Sequence, residues 1–101
     1  MTVKNMGSVR IRAIEKDNGN HSNPNEAIQA YCWIDESDNK AGKTNRLEMV
    51  SWITKGNSAY VKDYYGNKVF CYVRESVHGT KFLQTKADNT YTDNLLNLPE
   101  C

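Results

Sequence analysis

Residues 68–75, KVFCYVRE, alternate without a break: Val69, Cys71 and Val73 fall on one side, Lys68, Phe70, Tyr72 and Arg74 on the other. A period of two belongs to a β-strand whose two faces meet different surroundings. This run commits the chain to a sheet, and its neighbours extend it. SVRIRAIE (8–15) sets Val9, Ile11 and Ala13 against Arg10 and Arg12, and EAIQAYCWID (26–35), SAYVKD (58–63) and KFLQTK (81–86) read as further strands. YYGN and SVHGT each offer a glycine for the left-handed position of a hairpin. KDNGNHSNPN (16–25), dense in Asx, Gly and Pro, reads as a long polar loop.

KTNRLEMVSWITKG (43–56) is the one helical stretch, with Thr44 as N-cap and an apolar stripe of Leu47, Val50 and Ile53 flanked by Met49 and Trp52. Lys55 suits the C-terminal dipole and Gly56 the C′ position. From Thr44 the capping box is incomplete, because Leu47 stands where Glu or Gln is wanted. The expectation is an α+β domain of order ββαβββ, a mostly antiparallel sheet of about five strands with one main helix. At 101 residues the chain reads as a single domain, 1–101, with 1–7 a flexible leader. After the polar TYTD, the closing run 93–101 reads as a turn or a single helical turn docked by Leu95, Leu96 and Leu98, bounded by Asp93 and Pro99.

Charge narrows the function classes. Thirteen Lys and Arg against twelve Asp and Glu leave a net charge of +1, and a pI near 7.7 is unlike the basic footprint of a duplex-DNA binder. Mean hydropathy is −0.74, and no apolar run approaches the roughly 18 residues of a membrane span. MTVKNMGS lacks the apolar segment of a secretory signal. Three cysteines at scattered spacing do not read as a disulfide framework. Together these features predict a cytoplasmic protein. Richness in Asn, Lys, Tyr and Ile, residues with AT-rich codons, hints at a low-GC bacterium or its phage.

Four stretches carry a family resemblance: RIRAIEKDNGNH, TNRLEMVSWI, AYVKDYYGN and GTKFLQTKADNTYTDNLLNLPEC. They resemble, over nearly the whole chain, the bacterial and phage family known as domain of unknown function 3892. Trp is common in that family where Tyr91 stands, and an acid is common at Leu47. The resemblance implies that the ending in Cys101 is no accident, and it supplies no reaction.

No P-loop, GxSxG, HExxH or CxxC is present. A nucleophile assembled from Cys32 or Cys71 with His78 lacks a visible base and orienting group, and core packing is the plainer reading of both cysteines. A non-enzyme is therefore expected. A calcium loop starting at Asp17 fails, because Gly19, Ser22 and Ile28 occupy positions 3, 6 and 12. Zinc is a candidate cofactor: His21 lies in a polar loop, and Cys101 could meet it if the leucines dock beside the first strands, with Cys32 or Asp17 as further ligands. Against this, no two of them have tight ligand spacing, and the favoured reading is that His21 is a solvated loop histidine and Cys101 a packed or exposed end.

A second candidate site is the Lys68, Phe70, Tyr72 and Arg74 face. Covered by the helix, its aromatics are core. Left open, they form an anchor for a protein partner or a stacking platform for single-stranded nucleic acid. Tyr64 and Tyr65, at a hairpin tip, are harder to bury and are contact candidates. The leading expectation is a non-catalytic binding protein that docks on a protein, in the form of a phage inhibitor of a host defence nuclease, in the style of anti-CRISPR proteins. The alternatives are a single-strand nucleic-acid binder and a small enzyme of unassigned reaction.

Overall fold

β1 (Ser8–Lys16) is the strand on which the sheet is organised. It runs antiparallel to β2 (Ile28–Asp35), which pairs in turn with β3 (Lys40–Asn45). On its other side β1 pairs in parallel with β4 (Ser58–Lys62), but only over Ser8–Arg10. From β4 the chain meanders through β5 (Lys68–Glu75), β6 (Lys81–Ala87) and β7 (Thr90–Thr92) in antiparallel hairpins. The result, in a computed structural model describing residues 7–17, 24–87 and 90–101, is a seven-stranded sheet of order β3-β2-β1-β4-β5-β6-β7. A parallel pair needs a crossover between its strands, and here β2, β3 and the helix α1 (Arg46–Thr54) supply it. The α+β class and the mostly antiparallel sheet match expectation. The strand count and order do not: two strands, β3 and β7, had been read as turn or helix start and as closing turn. The leader, 1–7, falls outside the described residues except for Gly7.

The helix is shorter than the 43–56 stretch suggested. Its first residues belong to β3, because Thr44 pairs with Tyr31 in the ladder and its hydroxyl accepts the Trp33 indole N–H at 2.9 Å. The N-cap is therefore Asn45, whose side chain accepts the Glu48 N–H at 2.8 Å. Asn45 also donates to the Glu48 carboxylate at 3.0 Å. Shifting the cap by one residue places Glu48 at N3, where a capping acid belongs. The apolar stripe shifts as well: Met49, Val50 and Trp52 are buried, Ile53 is partly so, and Leu47 is exposed. Gly56 ends the helix at φ +108°, a region that favours glycine. EAIQAYCWID similarly divides into a short 3-10 turn, Pro24–Ala27, followed by β2.

Helix α1 packs on one face of the sheet, over a core of Val9, Ile11, Ile14, Tyr31, Met49, Val61, Leu83 and Leu95. Leu95 is fully buried, and Leu96 and Leu98 pack against the same cluster, so the closing leucines do clamp the core. Asn57 fixes the helix to β1. Its side chain donates to the Trp52 carbonyl at 2.8 Å and accepts the Gly7 N–H at 2.6 Å.

Two substitutions measure this packing. Leu95→Ala should cost about 2–5 kcal/mol in urea unfolding, the usual penalty for a cavity left by a buried leucine. At Gly42 an added Cβ would lie 2.7 Å from the Trp33 ring, which the bond to Thr44 keeps from swinging away. Gly42→Ala should therefore destabilise by about 1–3 kcal/mol, as overpacking does; an unchanged urea midpoint would show that the ring yields freely.

Candidate functional site

In β5 the alternation places Val69, Cys71 and Val73 toward the helix and Lys68, Phe70, Tyr72 and Arg74 on the opposite face. No helix among the described residues covers that face. Phe70 and Tyr72 are 39% and 47% exposed, so they are surface residues rather than core. The Tyr60↔Phe70 register puts Tyr60 beside them, with ring centroids 5.8 Å apart, and Arg10↔Tyr60 brings in Arg10 from β1.

Cations accompany the rings along the strip. The Lys68 ammonium lies 4.6 Å above the Tyr60 ring, and the Arg74 guanidinium lies 4.1 Å from the Tyr91 ring. Lys86 stands between two rings, 5.7 Å from Tyr72 and 5.3 Å from Tyr91. Arg74 is held in place by donating to the Gln84 side-chain oxygen at 2.6 Å. Each contact is a cation–π arrangement at a partly exposed site, worth about 0.5–1 kcal/mol.

At the β1–β4 end of the strip, Glu36 gathers three donors. The Tyr60 hydroxyl donates to it at 2.5 Å and Lys62 at 2.8 Å, and Arg10 stands 3.8 Å away. The hydrogen bond from Lys62, then that from Tyr60, holds the Glu36 carboxyl below the usual carboxylate range. Burial first, and Glu36 second, push the Tyr60 phenol up to about 12. A shallow cleft of about 620 Å³ opens beside this network, with Asp35, Glu36, Tyr60, Lys62 and Lys68 on its walls.

The β4–β5 hairpin carries the strip outward to its tip. Asp63 Oδ1 accepts the N–H groups of Tyr65 and Asn67, both at 2.9 Å, and its second oxygen accepts the Asn67 amide at 3.3 Å. Gly66, at φ +83°, closes the turn. This pinned loop projects Tyr64 and Tyr65, 95% and 84% exposed, packed edge to face at 5.3 Å. All six residues expected to contact a partner thus lie on one hairpin. The sequence reading missed Arg10, Glu36, Tyr60, Lys62, Lys86 and Tyr91. For Tyr60 a signal existed, since SAYVKD alternates Tyr60 and Lys62 against Ala59 and Val61.

The cysteine reading needs correction. Cys32 and Cys101 are joined as a disulfide, their Cα atoms 6.7 Å apart across a sequence separation of 69. Two of the four candidate zinc ligands, Cys32 and Cys101, do meet, but as a bonded pair with no thiolate to offer. His21 lies outside the described residues, and among the described residues no group of three metal-ligating side chains occurs. The pairing also removes the unpaired cysteines as a ground for a reducing compartment. Cys71 fits the core reading: it is buried, and burial pushes its thiol up to about 12. It is not assembled with His78, which is exposed in the β5–β6 turn. No helix among the described residues is long and apolar enough to cross a membrane.

The sequence model of the family described as "Protein of unknown function (DUF3892)" matches residues 10–99, and the chain belongs to that family. No curated protein and no solved structure matches it.

The hairpin tip has a pH signature. Hydrogen bonds, that from the Asn67 backbone first and that from the Tyr65 backbone next, lower the Asp63 pKa from 3.8, so the contribution of Asp63 is present above that value and is lost as pH falls through the lowered one. The Tyr65 and Asn67 amide resonances should shift upfield together on acidification below pH 3.8. Asp63→Asn should abolish that titration, and its persistence in the variant would assign it to another group.

Proposed function

We propose that this member of the DUF3892 family is a non-catalytic binding protein that docks a protein partner along the β4–β5 hairpin, from Tyr64 and Tyr65 through Phe70 and Tyr72 to Arg74. One observation carries the reading: an aromatic strip left open opposite the helix ends in two tyrosines, 95% and 84% exposed, on a turn pinned by Asp63. Exposed aromatic side chains on a rigid support lose little conformational freedom on binding, and Tyr and Arg are the residues that anchor protein interfaces. The cations set the polarity of the partner, favouring an acidic rim around an apolar pocket.

A single strand of nucleic acid fits the same charge but fits the rings less well. Bases need open ring faces to stack on, and here Lys68, Arg74 and Lys86 already lie over Tyr60, Tyr91 and Tyr72. Occlusion of a host nuclease by a small inhibitor is one concrete form of protein docking that requires no catalytic group on this chain.

The test is site-specific photo-cross-linking in a low-GC bacterial host, from a photoreactive phenylalanine analogue at position 64, 72 or 77. Val77 is 97% exposed at the opposite hairpin end and serves as the control. One protein should be captured from 64 and 72 and not from 77. With that protein purified, joint Tyr64→Ala and Tyr65→Ala should weaken binding by about 30-fold or more, the scale of a hot spot, with the melting temperature unchanged. Equal capture from all three positions, or none, would overturn the reading. Salt-sensitive binding of a single-stranded oligonucleotide that is lost in Phe70→Ala would replace it with the nucleic-acid alternative.

A further inference from the structure

We propose that the Cys32–Cys101 bond is a thiol-operated latch that holds segment 93–101 on the free edge of β1, and that reducing it uncovers a strand-accepting groove. β4 leaves β1 after Arg10, so the rest of that edge has no partner strand from the main sheet. The closing segment takes its place. Ile14 N–H donates to the Pro99 carbonyl at 3.0 Å, and Cys101 N–H donates to the Ile14 carbonyl at 2.9 Å, forming a parallel bridge opposite Glu100.

Apart from the disulfide, the tip of the segment is held by its two backbone bonds to Ile14, while the leucines before it clamp the core. Leu95 is fully buried, while Leu96 and Leu98 are only partly covered and residues 99–101 are exposed. Pro99 has no N–H to add to the ladder. The disulfide links this segment, on one side of β1, to β2 on the other, since Cys32 is the register partner of Ala13. A cross-link acts mainly by limiting how far a released segment can travel. Here it keeps the two Ile14 hydrogen bonds and the three leucines of the segment from dissociating.

Cys101 is exposed and Cys32 is partly covered, so the bond is open to attack from the Cys101 side. The opening step is exchange with a dithiol reductant. One thiolate of the dithiol attacks Cys101 Sγ and displaces the Cys32 thiolate, which takes up a proton. The second thiol of the reductant then displaces Cys101, leaving two protein thiols and the reductant as a cyclic disulfide. Two electrons and two protons pass from reductant to protein. What is uncovered is the N–H and C=O of Ile14 on β1, beside the socket left by Leu95. Such an edge accepts an extended peptide by strand addition. The occupant we assign is a segment with the pattern of residues 93–101, the one sequence the groove is seen to hold.

Two measurements on the full chain test this. Hydrogen exchange at the Ile14 amide should accelerate at least tenfold on reduction with dithiothreitol, while Val61 and Leu83 remain protected. No change at Ile14 would overturn the latch, and equal acceleration at all three would make the bond a global staple instead. Secondly, Cys101→Ser leaves Cys32 as the trapping thiol. With glutathione disulfide as oxidant, a peptide of residues 93–101 should form the mixed disulfide at least tenfold faster than a scrambled peptide that also ends in cysteine. Equal rates for the two peptides would remove the groove. Neither readout depends on the hairpin surface, so failure here leaves the docking proposal standing.

Discussion

β1 changes partners along its length. It pairs with β4 over Ser8–Arg10, with β2 from Arg10 to Lys16, and at Ile14 with the segment that ends at Cys101. Its register with β2 shifts between Ile11 and Ala13, just past the end of the β4 contact, and again between Glu15 and Lys16. Among the described residues, the three-residue parallel contact is the one ladder that joins the two halves of the sheet, and Asn57 braces it from the helix end. Because β4 pairs with β1 over Ser8–Arg10 alone, the closing segment can take the edge of β1 at Ile14.

Periodicity made the strands legible. β1, β4 and β5 carry alternation over five or more residues, β6 shows itself by its β-forming Phe, Leu and Thr instead, and the expected ranges of all four agree with the observed ones to within about a residue. β3 was hidden because KAGKTN has no apolar period. It is recruited to the sheet by pairing with β2, with Gly42 making room for the Trp33 ring. β7 is three residues long, too short for any period to register. The helix start was misplaced by two polar residues that can both cap; only the tertiary bond from Trp33 to Thr44 decides between them.

The site was legible in part for the same reason. Alternation placed Phe70 and Tyr72 on one face, but whether a helix covers that face depends on which side the crossover runs, which lies beyond local sequence. Glu36 joined the site from a turn 24 residues before Tyr60, and Tyr91 from a strand the pattern did not show. The cysteine pair was the clearest miss. Cys32 and Cys101 converge because the closing segment turns back along β1, and no spacing rule records such a return.

The burial of Cys71 bears on how the chain oxidises. Three cysteines permit three different single disulfides, and only one of them leaves the core intact. Cys71 lies at 5% exposure beneath the helix with its thiol raised to about 12, so it is scarcely ionised near neutrality and out of reach of an attacking sulfur. In the folded chain the wrong combinations are therefore closed to oxidation. The odd cysteine is a spectator, and pairing fidelity is a by-product of packing.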